Sequence, residues 1–283
     1  MKKLIFLLIL ILPINRAFAQ NLPVRLIVRA DDMGYTHSGN KAMIQSYQEG
    51  IVTSIEVIVP AHWFPEAVKM LNENPGVDVV IHLALTSEWE NIKWRPLSDC
   101  PSLRDGDGYF YPMVHPHQGY PGQSIMENKP ELVDVEKEFR AQIEMGLKHL
   151  PRISHLSSHM GCSGISEEVR ELTKQLAKEY GIEIDPGLEN LETLGGFGED
   201  AVTLEEKVAS FISMMGNMEP GKTYIFIEHP GLDNEELRAV YHIGYEDVAT
   251  DRQDVTDVFT HRRVKEFIKE KGIQLISYGD LRN

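Results

Sequence analysis

The chain has 283 residues, a formal net charge of −15 and two cysteines. Such an acidic protein is a poor partner for nucleic acid or for an anionic membrane surface, because both carry negative charge themselves. Once the N-terminal leader described next is set aside, about 264 residues remain, a length that suits a single (β/α) barrel.

Residues 1–19 are predicted to form a secretory signal peptide. The segment has two lysines, a Leu/Ile-rich run and the motif AFA before a predicted cleavage site at Gln20. The apolar run is shorter than the roughly 20 residues of a membrane span, so an uncleaved anchor is the weaker alternative. The mature chain is expected in the periplasm or outside the cell, with no membrane partner. There Cys100 and Cys162 either pair or remain separate thiols, and the sequence favours neither.

Short apolar runs alternate with amphipathic stretches from Val24 onward. The predicted strands are RLIVRA, IVTSIEVIVP, VDVVIHLALT, RISHLSSH, IEIDPG, KTYIFIEHPG and IQLISYGDL. The predicted helices are SGNKAMIQSYQEG, FPEAVKMLNENPG, ELVDVEKEFRAQIEMGLKHL, SEEVRELTKQLAKEYG, TLEEKVASFISMM and DVTDVFTHRRVKEFIKEKG. This alternation predicts an α/β fold in which about seven parallel strands form a TIM-like (β/α) barrel, with an open doubly wound sheet as the alternative. Residues 20–283 are predicted to be one domain.

The stretch from about 87 to 130 interrupts this alternation. It is rich in Pro, Gly, Asp and aromatic residues, and it predicts a long loop excursion. Loops of this length in compact domains are usually functional or disordered, and the aromatic residues favour order here. Trp89 and Trp94, near the start of the loop, are candidates for stacking on a sugar ring. Core packing or loop anchoring is the alternative for both.

Polar side chains lie within or just after the apolar strands. Asp31 and Asp32 follow the first strand, His82 lies in the third, His159 ends the fourth, and His229 follows the strand KTYIFIE. In (β/α) folds the carboxyl ends of the strands form the active face, so these groups are expected to converge there. Carboxylate and imidazole ligands suit one divalent ion, with Zn²⁺ favoured and Mg²⁺ or another divalent ion as the alternative. A buried core histidine is the competing interpretation of His82.

This set of side chains predicts a hydrolase. One Asp and two His can hold a divalent ion and leave positions for water and substrate. The second Asp then stays ionised and can accept a proton as general base, while a further His can protonate the leaving group. These are the groups needed to hydrolyse an amide or an ester.

The motifs ADD, GIVTS, HLALT and HPG occur in this order along the chain. Together they resemble the YdjC-like carbohydrate deacetylase family. The resemblance implies a TIM-like barrel and metal-dependent removal of acetyl groups from an N-acetylated sugar or oligosaccharide. It also implies that Asp32, His82 and His159 bind the metal, that Asp31 is the catalytic base and that His229 is the catalytic acid.

The chain departs from the family pattern at several positions near these motifs. Ser157 stands where the family has Asp, Gly161 and Ser163 stand where it has later histidines, and Arg29 stands where it has Asn. These changes place the substrate in question more than the reaction. The alternatives are therefore a hydrolase of the same family that acts on another ester or amide, and a sugar-binding barrel without catalysis.

Two weaker candidates complete the predicted site. Glu228 is either a substrate-binding pocket carboxylate or an outward-facing strand residue. Arg252 either contacts substrate or forms an ion pair on a helix surface. The sequence leaves a homo-oligomer open.

Overall fold

The structure is a computed structural model that describes residues 22–184 and 191–282. The predicted signal peptide at residues 1–19 and the second half of the predicted strand IEIDPG lie outside these ranges. Within the described part of the chain, no helix combines the length and the apolar composition needed to span a membrane.

One parallel sheet organises the described residues. Its strands are β1 (Arg25–Met33), β2 (Ser54–Val57), β3 (Asp78–Leu83), β4 (His155–Ser158), β5 (Glu183–Ile184), β6 (Glu192–Thr193), β7 (Thr223–Glu228) and β8 (Gln274–Leu275). The order across the sheet is β5-β4-β3-β2-β1-β7-β6, and β8 pairs with the start of β1. The parallel α/β architecture is thus confirmed. Within the described ranges no pairing joins β5 to β6, so closure into a full barrel stays a prediction.

Seven α-helices occur in the described ranges. They are α1 (His37–Gln48), α2 (Phe64–Glu73), α3 (Leu132–His149), α4 (Glu167–Tyr180), α5 (Leu204–Gly216), α6 (Val248–Thr260) and α7 (Arg262–Lys271). The prediction of one helix from 254 to 272 was wrong. His261 breaks it, because its backbone is extended and its side chain accepts a hydrogen bond from the Arg263 N–H as the cap of α7.

The two faces of the sheet are different in character. On β1, Leu26 and Val28 belong to the large apolar core that contains residues of the helices, whereas Ile27 belongs to a separate small cluster. Side chains alternate between the faces of a strand, so Ile27, Arg29 and Asp31 share the second face. This face, called the inner face below, becomes charged toward the carboxyl end of β1.

The loop excursion between β3 and α3 is packed, with one short 3-10 turn at Pro101–Leu103. It buries large side chains of its own, including Trp89, Trp94 and Phe110. The Glu90 N–H donates to the Tyr241 carbonyl, which joins the excursion to the segment before α6. Cys100 in the excursion and Cys162 after β4 are both free and buried, so the structure has two separate thiols.

Candidate active site

The two adjacent aspartates lie at a bulge in β1. Ala30 pairs with Ile55 and Met33 pairs with Val57, so three steps along β1 match two along β2. In a regular strand, neighbouring side chains point to opposite faces, but a bulge breaks this alternation. Asp32 absorbs the irregularity with a φ of 75°, a left-handed conformation that Asp tolerates better than most residues. Both carboxylates can therefore face the same site.

Asp31, Asp32, His82 and His159 meet at this bulge. The His82 Nε2 lies 3.6 Å from the Asp32 Oδ1 and 3.7 Å from the Asp31 Oδ2. The His159 Nδ1 lies 3.0 Å from the same Asp32 oxygen. One ligand atom from each of Asp32, His82 and His159 falls within 4.8 Å of the others, and all three residues are buried. We call these three residues the triad.

The triad fits a divalent metal ion. The Asp32 Oδ1 is buried and accepts no hydrogen bond of acceptable geometry from the described residues. A buried carboxylate oxygen without a donor is costly, and a cation placed between it and two imidazole nitrogens would satisfy it. One oxygen and two nitrogen donors form a set that zinc and similar divalent ions accept.

Arg29 holds the other aspartate in a buried ion-pair network. Its Nε and Nη2 donate to the two Asp31 oxygens at 2.6 and 2.9 Å, and its Nε lies 3.1 Å from the Glu56 Oε1. Burial raises the pKa of Asp31, but the neighbouring positive charges, Arg29 foremost, and the Arg29 hydrogen bonds together lower it more, so that pKa lies below its usual range. Asp31 is therefore ionised at neutral pH.

Further polar side chains contact the triad histidines on the ring nitrogens that face away from Asp32. The two acidic ones, Glu56 and Glu88, were not predicted from the sequence. The His82 Nδ1 is 2.7 Å from the Ser157 Oγ, which in turn donates to the Glu56 Oε2. The His159 Nε2 lies 3.1 Å from the Glu88 Oε2. Glu56 was detectable as the one charged residue in the apolar run IVTSIEVIVP, whereas Glu88 in the loop excursion carried no such signal.

His229 and Arg252 flank the second oxygen of Asp32. The His229 Nε2 is 3.6 Å from the Asp32 Oδ2, and the His229 side chain is 38% exposed. The Arg252 Nη2 is 3.5 Å from the same oxygen, and its guanidinium lies over the rings of Tyr35 and Trp89 at 4.7 and 5.0 Å. Arg252 is only 4% exposed, which excludes the predicted ion pair on a helix surface.

The positions of Trp89 and Trp94 favour loop anchoring over stacking on a sugar. Their exposures are 2% and 0%, so neither offers a free ring face to a ligand in this structure. Trp94 lies 6.4 Å from the His159 ring, and Trp89 lies beneath Arg252. Both anchor the loop excursion beside the site, as the alternative interpretation held.

Glu228 lies at the end of β7, in register with Ala30. Paired residues of a parallel sheet share a face. Ala30 packs in the large apolar core that contains residues of the helices, on the opposite face from the inner face. Glu228 thus faces away from the inner face. Burial raises the pKa of Glu228 to about 7, and the Asp251 charge adds to this while Arg252 opposes it.

Glu228→Gln is expected to stabilise the protein at neutral pH. Because the pKa of Glu228 is about 7 in the fold and 4.5 as the ordinary value, the unfolded chain ionises first as pH rises. The free energy of unfolding therefore decreases as the pH rises from about 4.5 to about 7. The variant has no carboxyl group at this position and does not show this decrease. We expect a gain on the order of 1–2 kcal/mol at pH 8 and almost none at pH 4.5. Urea unfolding at both pH values measures it, and an equal effect at both would contradict the assignment.

The chain matches known proteins along most of its length. The YdjC-like protein family matches over residues 25–270. A carbohydrate deacetylase of Brevibacillus brevis is 27% identical over 270 residues, which cover 91% of this chain and 100% of that protein. A carbohydrate deacetylase of Clostridium beijerinckii is 29% identical over 268 residues, with 91% and 100% covered.

A solved structure agrees with these matches. The crystal structure of a cellobiose-phosphate cleavage protein from Enterococcus faecalis superimposes with a TM-score of 0.72 at 26% identity. The superposition covers 92% of this chain and 99% of that one. Since the family match extends over strands β1 to β7, the triad and the loop excursion, the chain belongs to the YdjC-like family, as its motifs predicted.

Proposed function

We propose that this protein is a carbohydrate deacetylase that hydrolyses the acetamide group of an N-acetylated sugar or oligosaccharide with the help of one divalent ion. The observation that carries the proposal is the buried triad, in which no described group donates to the Asp32 Oδ1 with acceptable geometry and two imidazole nitrogens lie close to that oxygen. The names of the Brevibacillus and Clostridium relatives support the reaction class.

Asp32, His82 and His159 would hold the ion, with Zn²⁺ favoured by their donor atoms. When bound, such an ion supplies a Lewis acid that polarises a carbonyl and lowers the pKa of water. The supporting carboxylates Glu56 and Glu88 are buried, whereas the side chain of His229, beside Asp32, is 38% exposed. Substrate would therefore approach past His229.

Asp31 is the proposed general base. It is ionised, is 5% exposed, and its Oδ2 lies 3.7 Å from the His82 Nε2 on the same side as the triad. That oxygen would accept a proton from the attacking water. Arg29 fixes the carboxylate through two hydrogen bonds, so the acceptor needs no reorientation when the proton moves.

His229 is the proposed general acid. It lies near the Asp32 Oδ2, whereas both triad histidines lie near the Oδ1. His229 therefore lies beside the proposed metal site without being one of its ligands. From its half-exposed position, the His229 Nε2 would protonate the leaving nitrogen of the sugar amine.

Acetate release tests the proposed reaction. The purified protein is incubated with a panel of N-acetylated and O-acetylated oligosaccharides, and its metal content is measured in parallel. We expect acetate from N-acetylated members and about one divalent ion per chain. Acetate from O-acetylated members alone would favour an ester hydrolase, and sugar binding without acetate release would favour a binding protein. Either result would contradict deacetylation of an N-acetylated sugar.

The proposal includes export of the mature chain, which rests on the leader-like segment at residues 1–19. N-terminal sequencing of the protein isolated from producing cells checks it. A mature chain that starts at or near Gln20 is expected.

A further inference from the structure

Each histidine of the triad uses only one ring nitrogen toward Asp32. For His82 this is Nε2, and for His159 it is Nδ1. A ring nitrogen that binds a metal needs its lone pair, so the proton of the neutral ring must sit on the opposite nitrogen. The groups that contact the opposite nitrogens therefore decide whether each ring is ready to bind.

The opposite nitrogen of His82 contacts an acid through a hydroxyl. The His82 Nδ1 lies 2.7 Å from the Ser157 Oγ, and Ser157 donates to Glu56. A hydroxyl can accept one hydrogen bond and donate another, so Ser157 can accept from the imidazole N–H while its own proton goes to the carboxylate. Glu56 is fully buried, and its Oε2 lies 3.5 Å from the same nitrogen.

The opposite nitrogen of His159 contacts an acid directly. The Glu88 Oε2 lies 3.1 Å from the His159 Nε2, and Glu88 is 5% exposed. This carboxylate belongs to the loop excursion, whose start is fixed by neighbouring contacts. The Ser87 N–H donates to the Tyr111 carbonyl, and the Ser87 Oγ accepts from the Trp94 N–H. These two bonds fix the backbone directly before Glu88.

We propose that Glu88, and Glu56 acting through Ser157, are positioning residues that hold His159 and His82 in the orientation and tautomer required for metal binding. The inference rests on the proposed metal site and deepens it. It assigns the loop excursion a role in building the metal site. Removal of a hydrogen-bond partner of a metal-binding histidine typically weakens metal affinity roughly 10- to 100-fold.

Metal affinity of the full mature chain is the test. Zn²⁺ dissociation constants are measured by competition with a chromophoric chelator for the wild type and the variants Glu88→Gln, Ser157→Ala and Ser157→Thr. We expect Glu88→Gln and Ser157→Ala to weaken Zn²⁺ binding roughly 10- to 100-fold. Ser157→Thr keeps the hydroxyl and is expected to bind within about threefold of the wild type, which a merely structural role for this position would not predict.

Two matched variants separate positioning from general damage. Glu90→Gln alters a carboxylate two residues along the same loop that accepts from the Tyr120 hydroxyl instead of a triad histidine. Glu138→Gln alters a fully buried carboxylate that accepts from the Leu97 and Ser98 N–H groups. Both are expected to bind Zn²⁺ as the wild type does, even where urea unfolding shows lost stability. Since Ser157→Ala is a small change, it provides the answer should Glu88→Gln fail to fold.

The outcomes distinguish this inference from the proposed function. Tight binding by the wild type, loss in His82→Ala and unchanged affinity in both Glu88→Gln and Ser157→Ala would overturn the positioning role alone. A wild type that binds no divalent ion would overturn the proposed metal site and this inference with it. Weakened binding in those two variants, with normal binding in Glu90→Gln, would support both.

Discussion

Asp31→Asn is expected to abolish deacetylation while the protein keeps its metal ion. The substitution preserves the shape of the side chain but removes the charge and the proton-accepting oxygen that faces the triad. Loss of a general base typically lowers the rate about 10²- to 10⁴-fold. Arg29 retains a partner in the variant, because its Nε also lies 3.1 Å from Glu56. Acetate release and metal content, measured on the same preparation, give the two readouts.

Asp32→Ala and His82→Ala provide the contrast, since both should lose metal and activity together. The Asp32 Oδ1 is the atom on which both imidazoles converge, and no other described carboxylate belongs to the triad. Full metal content in either variant would refute its assignment as a ligand. Deacetylation by Asp31→Asn at more than about one tenth of the wild-type rate would rule out the base role.

The arrangement of the site could be predicted in part because strand ends are visible in the sequence. Asp or His within or just after an apolar run marks the carboxyl edge of a parallel sheet, and neighbouring strands bring these positions together. Asp32, His82 and His159 come from three such positions and meet in the structure. The bulge at the two aspartates was not predictable, because strand pairing across β1 and β2 creates it and the local pattern does not reveal it.

The partners of the site residues were harder to predict, since they depend on register between distant segments. Ser157 stands where the family pattern has Asp, one of the changes that placed the substrate in question. The register of β3 and β4 places Ser157 beside His82, and that of β2 and β3 brings Glu56 into reach, so a carboxylate remains. Arg29, another departure, pairs with this same Glu56. The two departures, Arg29 and Ser157, thus form one buried polar group with Asp31 and Glu56 on the inner face.

The cost of breaking that group should be large, and Arg29→Met tests it. Arg29 lies between the carboxylates of Asp31 and Glu56, and all three residues are at most 5% exposed. Removing the guanidinium leaves two buried carboxylates that repel each other, which typically costs about 3–5 kcal/mol of unfolding free energy. Urea unfolding of the metal-free protein at pH 7 measures it. As a control, Arg262→Met removes an ion pair with Glu266 whose arginine is 82% exposed, and it should cost under about 1 kcal/mol.

The loss should also depend on pH in a defined direction. In the wild type burial raises the pKa of Asp31, but Arg29 and the other neighbouring groups together lower it below 3.8, so its ionisation stabilises the fold above that value. The variant lacks this contribution, and the deficit should shrink as pH falls toward and below about 4, where the carboxylates of the variant are protonated. Glu56→Gln in the Arg29→Met background removes one of the two charges and should restore part of the stability at pH 7. If the double variant were no more stable than Arg29→Met, repulsion between Asp31 and Glu56 would not be the cause of the loss. Arg29 would then act through its packing and not through its charge.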